Sequence, residues 1–189
     1  MHRFVWDLHY APPDALRHEY PISAIYRDTP RHPLGPAVLP GQYTVKLTAD
    51  GKTYTQPLLV KMDPRVKTPP AGLLQQFMLA TRLTGMLHRD FQALQELREL
   101  RSKLAPLSPE LEKQISELEG SSRRPPGDED EDEDAGGLTK LNNDLNTTLG
   151  VIEGADATPT TQAVATVSEL DRRLQSLLSK VRELKAKVK

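Results

Sequence analysis

The side chains of this sequence that could do acid–base chemistry are carboxylates, and in the first third of the chain they are scattered. Cleavage of a glycosidic bond, for example, needs two carboxylates that converge on one cleft. Each acid here stands beside a turn, a proline or the end of a strand-like run, and no motif pairs them; the acids are Asp7, Asp14, Glu19, Asp28, Asp50 and Asp63. We therefore predict no catalytic residue and expect that the protein is not an enzyme.

The residues that could bind a metal ion also lack a recognised spacing. The sequence has no cysteine, and its early histidines are spaced irregularly; they are His2, His9, His18 and His32. Recognised metal motifs hold their ligands at fixed spacings. We predict surface histidines with no metal site and no cofactor, and a metal site is the minor alternative.

An unbroken acidic run, Asp128–Asp134, lies between Pro- and Gly-containing flanks. Such a segment cannot bury apolar surface, so residues 120–137 are predicted to form a disordered loop. The run lacks the glycine and the alternating ligands of a calcium loop, which leaves calcium binding as the minor alternative.

Aromatic side chains offer a binding alternative. Trp6 is the single tryptophan and is predicted to anchor the core, with a ligand-stacking platform as the other interpretation. A β module that binds carbohydrate or peptide would use Trp6 together with Tyr20, Tyr26, Tyr43 and Tyr54. The same tyrosines can equally be core and edge residues.

A hairpin is the clearest element of the first third. Within Pro40–Pro64 two alternating runs flank Asp50-Gly51, a pair that favours a type I′ turn. In the first run Tyr43, Val45, Leu47 and Ala49 are predicted to share one face. In the second run the shared face is predicted to carry Tyr54, Gln56, Leu58, Val60 and Met62. Pro57 predicts an edge strand or a bulge. Arg3–Leu8 is predicted to form a further strand, and Tyr20–Tyr26 a short edge strand or a turn.

The remainder is helical. Thr68 is predicted to cap a helix that has Pro69 at its first position and reaches about Leu104, and Ser108 to cap a second that reaches about Glu119. A third is predicted over Leu138–Glu153. Thr158 is predicted to cap the last helix, 159–189, whose apolar residues recur at heptad positions: Ala163, Val167, Leu170, Leu174, Leu177, Val181, Leu184 and Val188.

These lengths predict an α+β protein of two domains. Residues 1–66 form a β module, and residues 67–189 form an antiparallel up-down bundle of three long members, the middle one interrupted by the acidic loop. Net charge is −1, which gives no indication of nucleic-acid binding. No apolar run approaches the roughly 18 residues of a membrane span, and Met1-His2-Arg3 does not begin a signal peptide.

Several motifs together resemble one protein family. They are Arg3–Leu8 (Arg-Phe-Val-Trp-Asp-Leu), Leu39–Leu47 (Leu-Pro-Gly-Gln-Tyr-Thr-Val-Lys-Leu), Asp50–Pro57, Met62–Val66 and Leu149–Ala157. The chain resembles the C-terminal region of bacterial secreted proteins built on a sortilin-like (BNR-repeat) β-propeller, which are often labelled glycosyl hydrolases. Those proteins carry an immunoglobulin-like module similar to the flagellar hook-capping type, followed by a helical segment.

The resemblance implies a partial immunoglobulin-like sandwich whose opening strands, like the propeller and the signal peptide, lie outside this chain. We therefore expect a C-terminal fragment or the product of an internal start. The resemblance also implies an extracellular or periplasmic location for full-length relatives. Any glycosidase activity would belong to the propeller, so no site residue is carried over.

The function predicted from these features is that of a non-catalytic structural or interaction module. Its expected partners are the propeller and the missing strands. One alternative is an oligomerisation element in which the 159–189 helix pairs between chains, which makes a homo-oligomer. The other is the carbohydrate- or peptide-binding β module.

Overall fold

The computed structural model describes residues 3–19, 29–103, 108–120 and 136–188. Within these ranges the protein is α+β, with one two-stranded antiparallel sheet and four helices. The strands are β1, Gly41–Ala49, and β2, Lys52–Val60. The helices are α1, Pro70–Lys103; α2, Pro109–Glu119; α3, Leu138–Glu153; and α4, Thr161–Val188.

The hairpin is confirmed in register and in turn. Tyr43 lies opposite Leu58, and Leu47 lies opposite Tyr54, so the predicted apolar face is formed. Asp50 and Gly51 have φ values of 50° and 73°, the two positive angles that a type I′ turn needs. The pairing is unbroken, which excludes a bulge at Pro57. In the described part of the chain β2 is an edge strand, the other structure that Pro57 predicted.

The helices share one hydrophobic core. Residues along α1 pair with α3 in opposite order and with α4 in the same order, as polar contacts between them show: Gln76 with Ile152, Asp90 with Asn142, Arg82 with Asp171 and Glu96 with Lys185. The heptad residues of α4 are buried or half-buried in this core, which encloses Leu83, Leu87, Leu94, Leu97, Leu141, Leu145, Val167 and Leu174.

Two glycines bring the end of α2 against the start of α3. A Cβ atom placed on Gly137 would lie 2.5 Å from the Gly120 nitrogen and 2.6 Å from the Leu118 carbonyl oxygen. Only glycine lets the two backbones approach this closely. The two glycines that flank the acidic segment therefore lie next to each other. Residues 121–135 of the predicted disordered loop lie outside the described residues.

The predicted starts of α2 and α3 are confirmed, while the predicted caps of α1 and α4 are wrong. Ser108 caps α2 as predicted, since its Oγ accepts a hydrogen bond from the Leu111 N–H at 3.3 Å. Thr68 does not cap α1; its hydroxyl donates to the Asp156 carbonyl oxygen. Thr158 does not cap α4 either. Thr160 does, because its Oγ1 accepts from the Ala163 N–H at 3.1 Å.

The predicted strand at Arg3–Leu8 is wrong. Residues 3–7 have no ladder partner among the described residues, and an unpaired segment cannot form a strand. Pairing begins just after it, as isolated antiparallel bridges of His9 with Ala37 and of Glu19 with His32. The predicted strand or turn at Tyr20–Tyr26 lies outside the described residues.

The N-terminal segment rests on the helices. The Leu16 N–H donates to Asn142 Oδ1 at 3.4 Å, the Ala37 N–H donates to Glu153 Oε2 at 3.1 Å, and Ala15 is buried. Trp6 is not part of the helical core, because it lies half-buried above the hairpin. Its ring meets Tyr43 edge-on at 5.8 Å. The predicted boundary between residues 66 and 67 stays a prediction.

Candidate functional site

Most acids of the first third have local structural roles. Asp7 Oδ1 accepts the His9 N–H at 3.1 Å, and Asp63 forms an ion pair with Arg65 at 2.6 Å. This bidentate pair lowers the pKa of the Asp63 carboxyl. Asp50 belongs to the hairpin turn.

Two more acids of that set contact other parts of the molecule, while Asp28 lies outside the described residues. Asp14 contacts the His88 ring at Nδ1. Glu19 lies 3.7 Å from Arg17, and both side chains are exposed. Each of the five acids that lie in the described residues therefore has a local contact or a turn that accounts for its position. The absence of a catalytic residue stays a prediction.

A cleft of about 530 Å³ lies between the N-terminal segment and α3. It brings together two of the histidines that the sequence left unassigned, His9 and His32, with Glu19 of the same segment. The α3 wall adds polar residues that sequence reasoning missed, chiefly Asn146 and Glu153. No sequence signal places these groups together, because residues 9–19 and 32–34 have no periodicity and meet α3 only in the folded chain.

Glu153 is the most shielded acid of this cleft. Its side chain is partly buried at the end of α3, where Oε2 accepts the Ala37 N–H. Desolvation raises the pKa of Glu153, while the Ala37 hydrogen bond and the nearby His9 act in the opposite direction. The carboxylate therefore gains from any further cation or donor that approaches it.

The tautomer of His9 follows from its neighbour. Its Nδ1 lies 2.8 Å from the Asp7 carbonyl oxygen, which can only accept a hydrogen bond, so Nδ1 carries the hydrogen. In the neutral ring Nε2 is then an acceptor. Glu19 and Glu153 give the cleft two carboxylate acceptors.

A second candidate surface is one face of the hairpin, which we call the hairpin face: Tyr43, Val45, Leu47, Tyr54, Gln56 and Leu58. Val45, Leu47 and Tyr54 are 50%, 60% and 57% exposed. No described helix packs on either strand. Large apolar side chains exposed together are uncommon on a protein that acts alone.

A third polar group is buried inside the helices. Asp90 is fully buried, accepts one hydrogen bond from Asn142 Nδ2 at 2.7 Å, and leaves its Oδ1 without a partner in the described residues. Desolvation raises the pKa of Asp90 to about 7, with the Asn142 bond opposing. Asp90 was missed, although it stands at the regular helical step between Leu87 and Leu94.

Within the described ranges, no group of three or more His, Asp or Glu side chains is placed to hold a metal ion. Among these residues, no helix is long and apolar enough to span a bilayer. Comparisons with protein-family models, with curated proteins and with solved structures found no match to this chain. The resemblance to sortilin-like propeller proteins therefore stays a prediction.

Proposed function

We propose that this chain is a non-catalytic interaction module whose hairpin docks β-strands of a partner. The observation that carries the proposal is the hairpin face, where three large apolar side chains stand exposed on a two-stranded sheet. Burial of such side chains favours association by about 25 cal/mol per Å² of apolar surface. The helices, in contrast, already enclose their own core.

The partner is an extended strand because the sheet offers backbone groups as well as an apolar face. Both outer edges of the hairpin are unpaired within the described segments. Such edges add a strand through main-chain hydrogen bonds, and alternate side chains then supply specificity. β1 is the favoured edge, since β2 contains Pro57, which has no N–H to donate.

The finer architecture that we propose follows the family resemblance. Partner strands would complete an immunoglobulin-like sandwich on the hairpin face, and α1–α4 would form an antiparallel up-down bundle that supports it. In this proposal the module belongs to a secreted propeller protein, outside the cell or in the periplasm. The ordering of polar contacts along α1, α3 and α4 supports the bundle.

Selection from a displayed library of random peptides tests the docking function. The full chain should enrich extended peptides in which apolar residues alternate. Their binding should be lost in Leu47→Lys and kept in the control Thr48→Lys, which places the same charge on the opposite face. Enrichment of helical peptides, or binding that ignores Leu47→Lys, would contradict the proposal.

Self-association through α4 was the main alternative. The heptad residues that motivated it face α1 and α3 of the same chain, where Val167, Leu170, Leu174, Val181 and Leu184 are buried. A second chain could use this seam only by displacing those helices. Carbohydrate binding stays a prediction; Trp6 and Tyr43 contact each other, and Tyr54 lies farther along the hairpin.

A further inference from the structure

We propose that the cleft between the N-terminal segment and α3 binds a small aliphatic ammonium ion. The cleft is formed by residues distant in sequence: His9, Glu19 and Leu34, from two separate described stretches, lie against Leu149 and Glu153 of α3. Its volume of about 530 Å³ is in the range of small-molecule sites. This site is separate from the hairpin face and does not depend on the docking function.

The polar side chains that line the cleft favour a ligand that donates hydrogen bonds. Glu19 and Glu153 are carboxylates, which accept hydrogen bonds and attract a cation. Arg17 is the opposing cation on the wall, and it lies beside Glu19 rather than beside Glu153. Glu153, whose Oε2 accepts the Ala37 N–H, is thus the partly buried carboxylate end of the cleft.

Asn146 adds an unpaired acceptor to the α3 wall of the cleft. Its Oδ1 is shielded from solvent and accepts no hydrogen bond in the described part of the chain, while its Nδ2 donates to Asn142 Oδ1 at 3.3 Å. An acceptor left unpaired and shielded from water destabilises the fold, because it loses its hydration without a replacement hydrogen bond. A ligand donor that enters beside α3 would offset this deficiency once the side chain turns outward.

The rest of the lining selects an alkyl chain behind the ammonium group. Leu34 and Leu149 face the same space, and Gly150 leaves the α3 wall without a side chain. Methylene groups lying on such a surface favour binding because they are removed from water. A short primary amine or diamine matches both halves of the cleft, whereas a carboxylate or phosphate would meet Glu153.

Nuclear magnetic resonance titration of the full chain with 1,5-diaminopentane tests this proposal at physiological ionic strength, where exposed charges are screened beyond about 8 Å. The expected result is saturable shifts of the Ala37 and Gly150 amides. Neither 1,5-pentanediol, which has no charge, nor glutarate, which has the opposite charge, should produce them. Equal shifts with pentanediol, or shifts confined to the acidic run at Asp128–Asp134, would overturn the proposal.

Two variants locate the binding. Glu153→Gln keeps an oxygen for the Ala37 N–H but removes the charge, and should weaken binding about tenfold or more. Gly150→Leu should block the cleft without unfolding the helix, because a Cβ atom there meets nothing within 4 Å. Gly85→Leu is the matched control, since Gly85 is a helical glycine with the same free space. Unchanged affinity in both cleft variants would refute the site.

Discussion

At position 90 an acidic side chain occupies a place that the helical pattern reserves for an apolar one. Leu83, Leu87, Leu94 and Leu97 are all fully buried, and Asp90 completes their regular spacing. The neighbouring apolar residue, Phe91, is only half-buried. The spacing could have identified Asp90 as inward-facing, but its partner Asn142 could not be identified, because that contact joins two helices.

The buried Asp90 predicts that stability falls as pH rises. Its folded pKa is about 7, against an ordinary value of 3.8, so the folded state retains a proton that the unfolded state loses. Stability should therefore decrease from about pH 4 and level off above about pH 7, by an amount of order 4 kcal/mol. Urea unfolding at several pH values between pH 4 and pH 8 measures this decrease in the free energy of unfolding.

Asp90→Asn removes the titrating group and should flatten most of this slope. Glu99→Gln is the control, because Glu99 is an exposed acid on the same helix. If Asp90→Asn keeps the full pH dependence, the slope has another source and the assignment to Asp90 is wrong.

Single elements were predictable where short-range chemistry determines them. The hairpin follows from strict alternation around Asp-Gly, and α3 follows from glycines that flank a leucine stripe, so its bounds were predicted correctly. The strand at Arg3–Leu8 depended on a partner that the local pattern does not contain. Likewise, Thr68 was predicted as a cap, but tertiary contact gives its hydroxyl the Asp156 carbonyl instead.

The hydrogen bond that caps α4 can be tested by substituting its threonine. Thr160→Ala should lower the free energy of unfolding by about 1 kcal/mol, because the Ala163 N–H loses its acceptor. Thr158→Ala should cost less than half of this, since Thr158 makes no capping bond among the described residues. Chemical denaturation of both variants decides between the two threonines, and a larger loss for Thr158→Ala would favour the sequence-based assignment.

At the scale of the whole molecule, the sequence pattern does not predict which distant segments pack together. Residues 9–19 and 32–38 lack periodicity, yet they pair with each other and lie against α3. Gly35 is required there, because a Cβ atom would lie 2.3 Å from the carbonyl oxygens of Tyr10 and Ala11. The cleft exists only through this docking, so none of its lining could be assigned from sequence spacing.

The close approach of Gly120 and Gly137 predicts that the acidic segment can be removed. Replacing residues 121–135 with two glycines should keep the helices intact, since the chain ends to be joined already lie together. Loop-closure entropy changes slowly with length, so shortening should stabilise the protein by roughly 1–2 kcal/mol. Circular dichroism and thermal unfolding of the full chain and the shortened chain measure this.

A Gly-Ser linker of the original length separates the effect of length from that of charge. It should match the full chain in stability if the acids make no stabilising contact with the helices. If the Gly-Ser chain and the shortened chain both lose stability or helix content, the acidic residues themselves hold the ends of α2 and α3 together. The basic residues beside this junction are Lys140, whose Cδ would lie 2.5 Å from a Cβ atom on Gly136, and Lys180 of α4, which lines a pocket with Gly136 and Gly137. They would then be the expected partners, and the double change Lys140→Ala and Lys180→Ala should reproduce the loss.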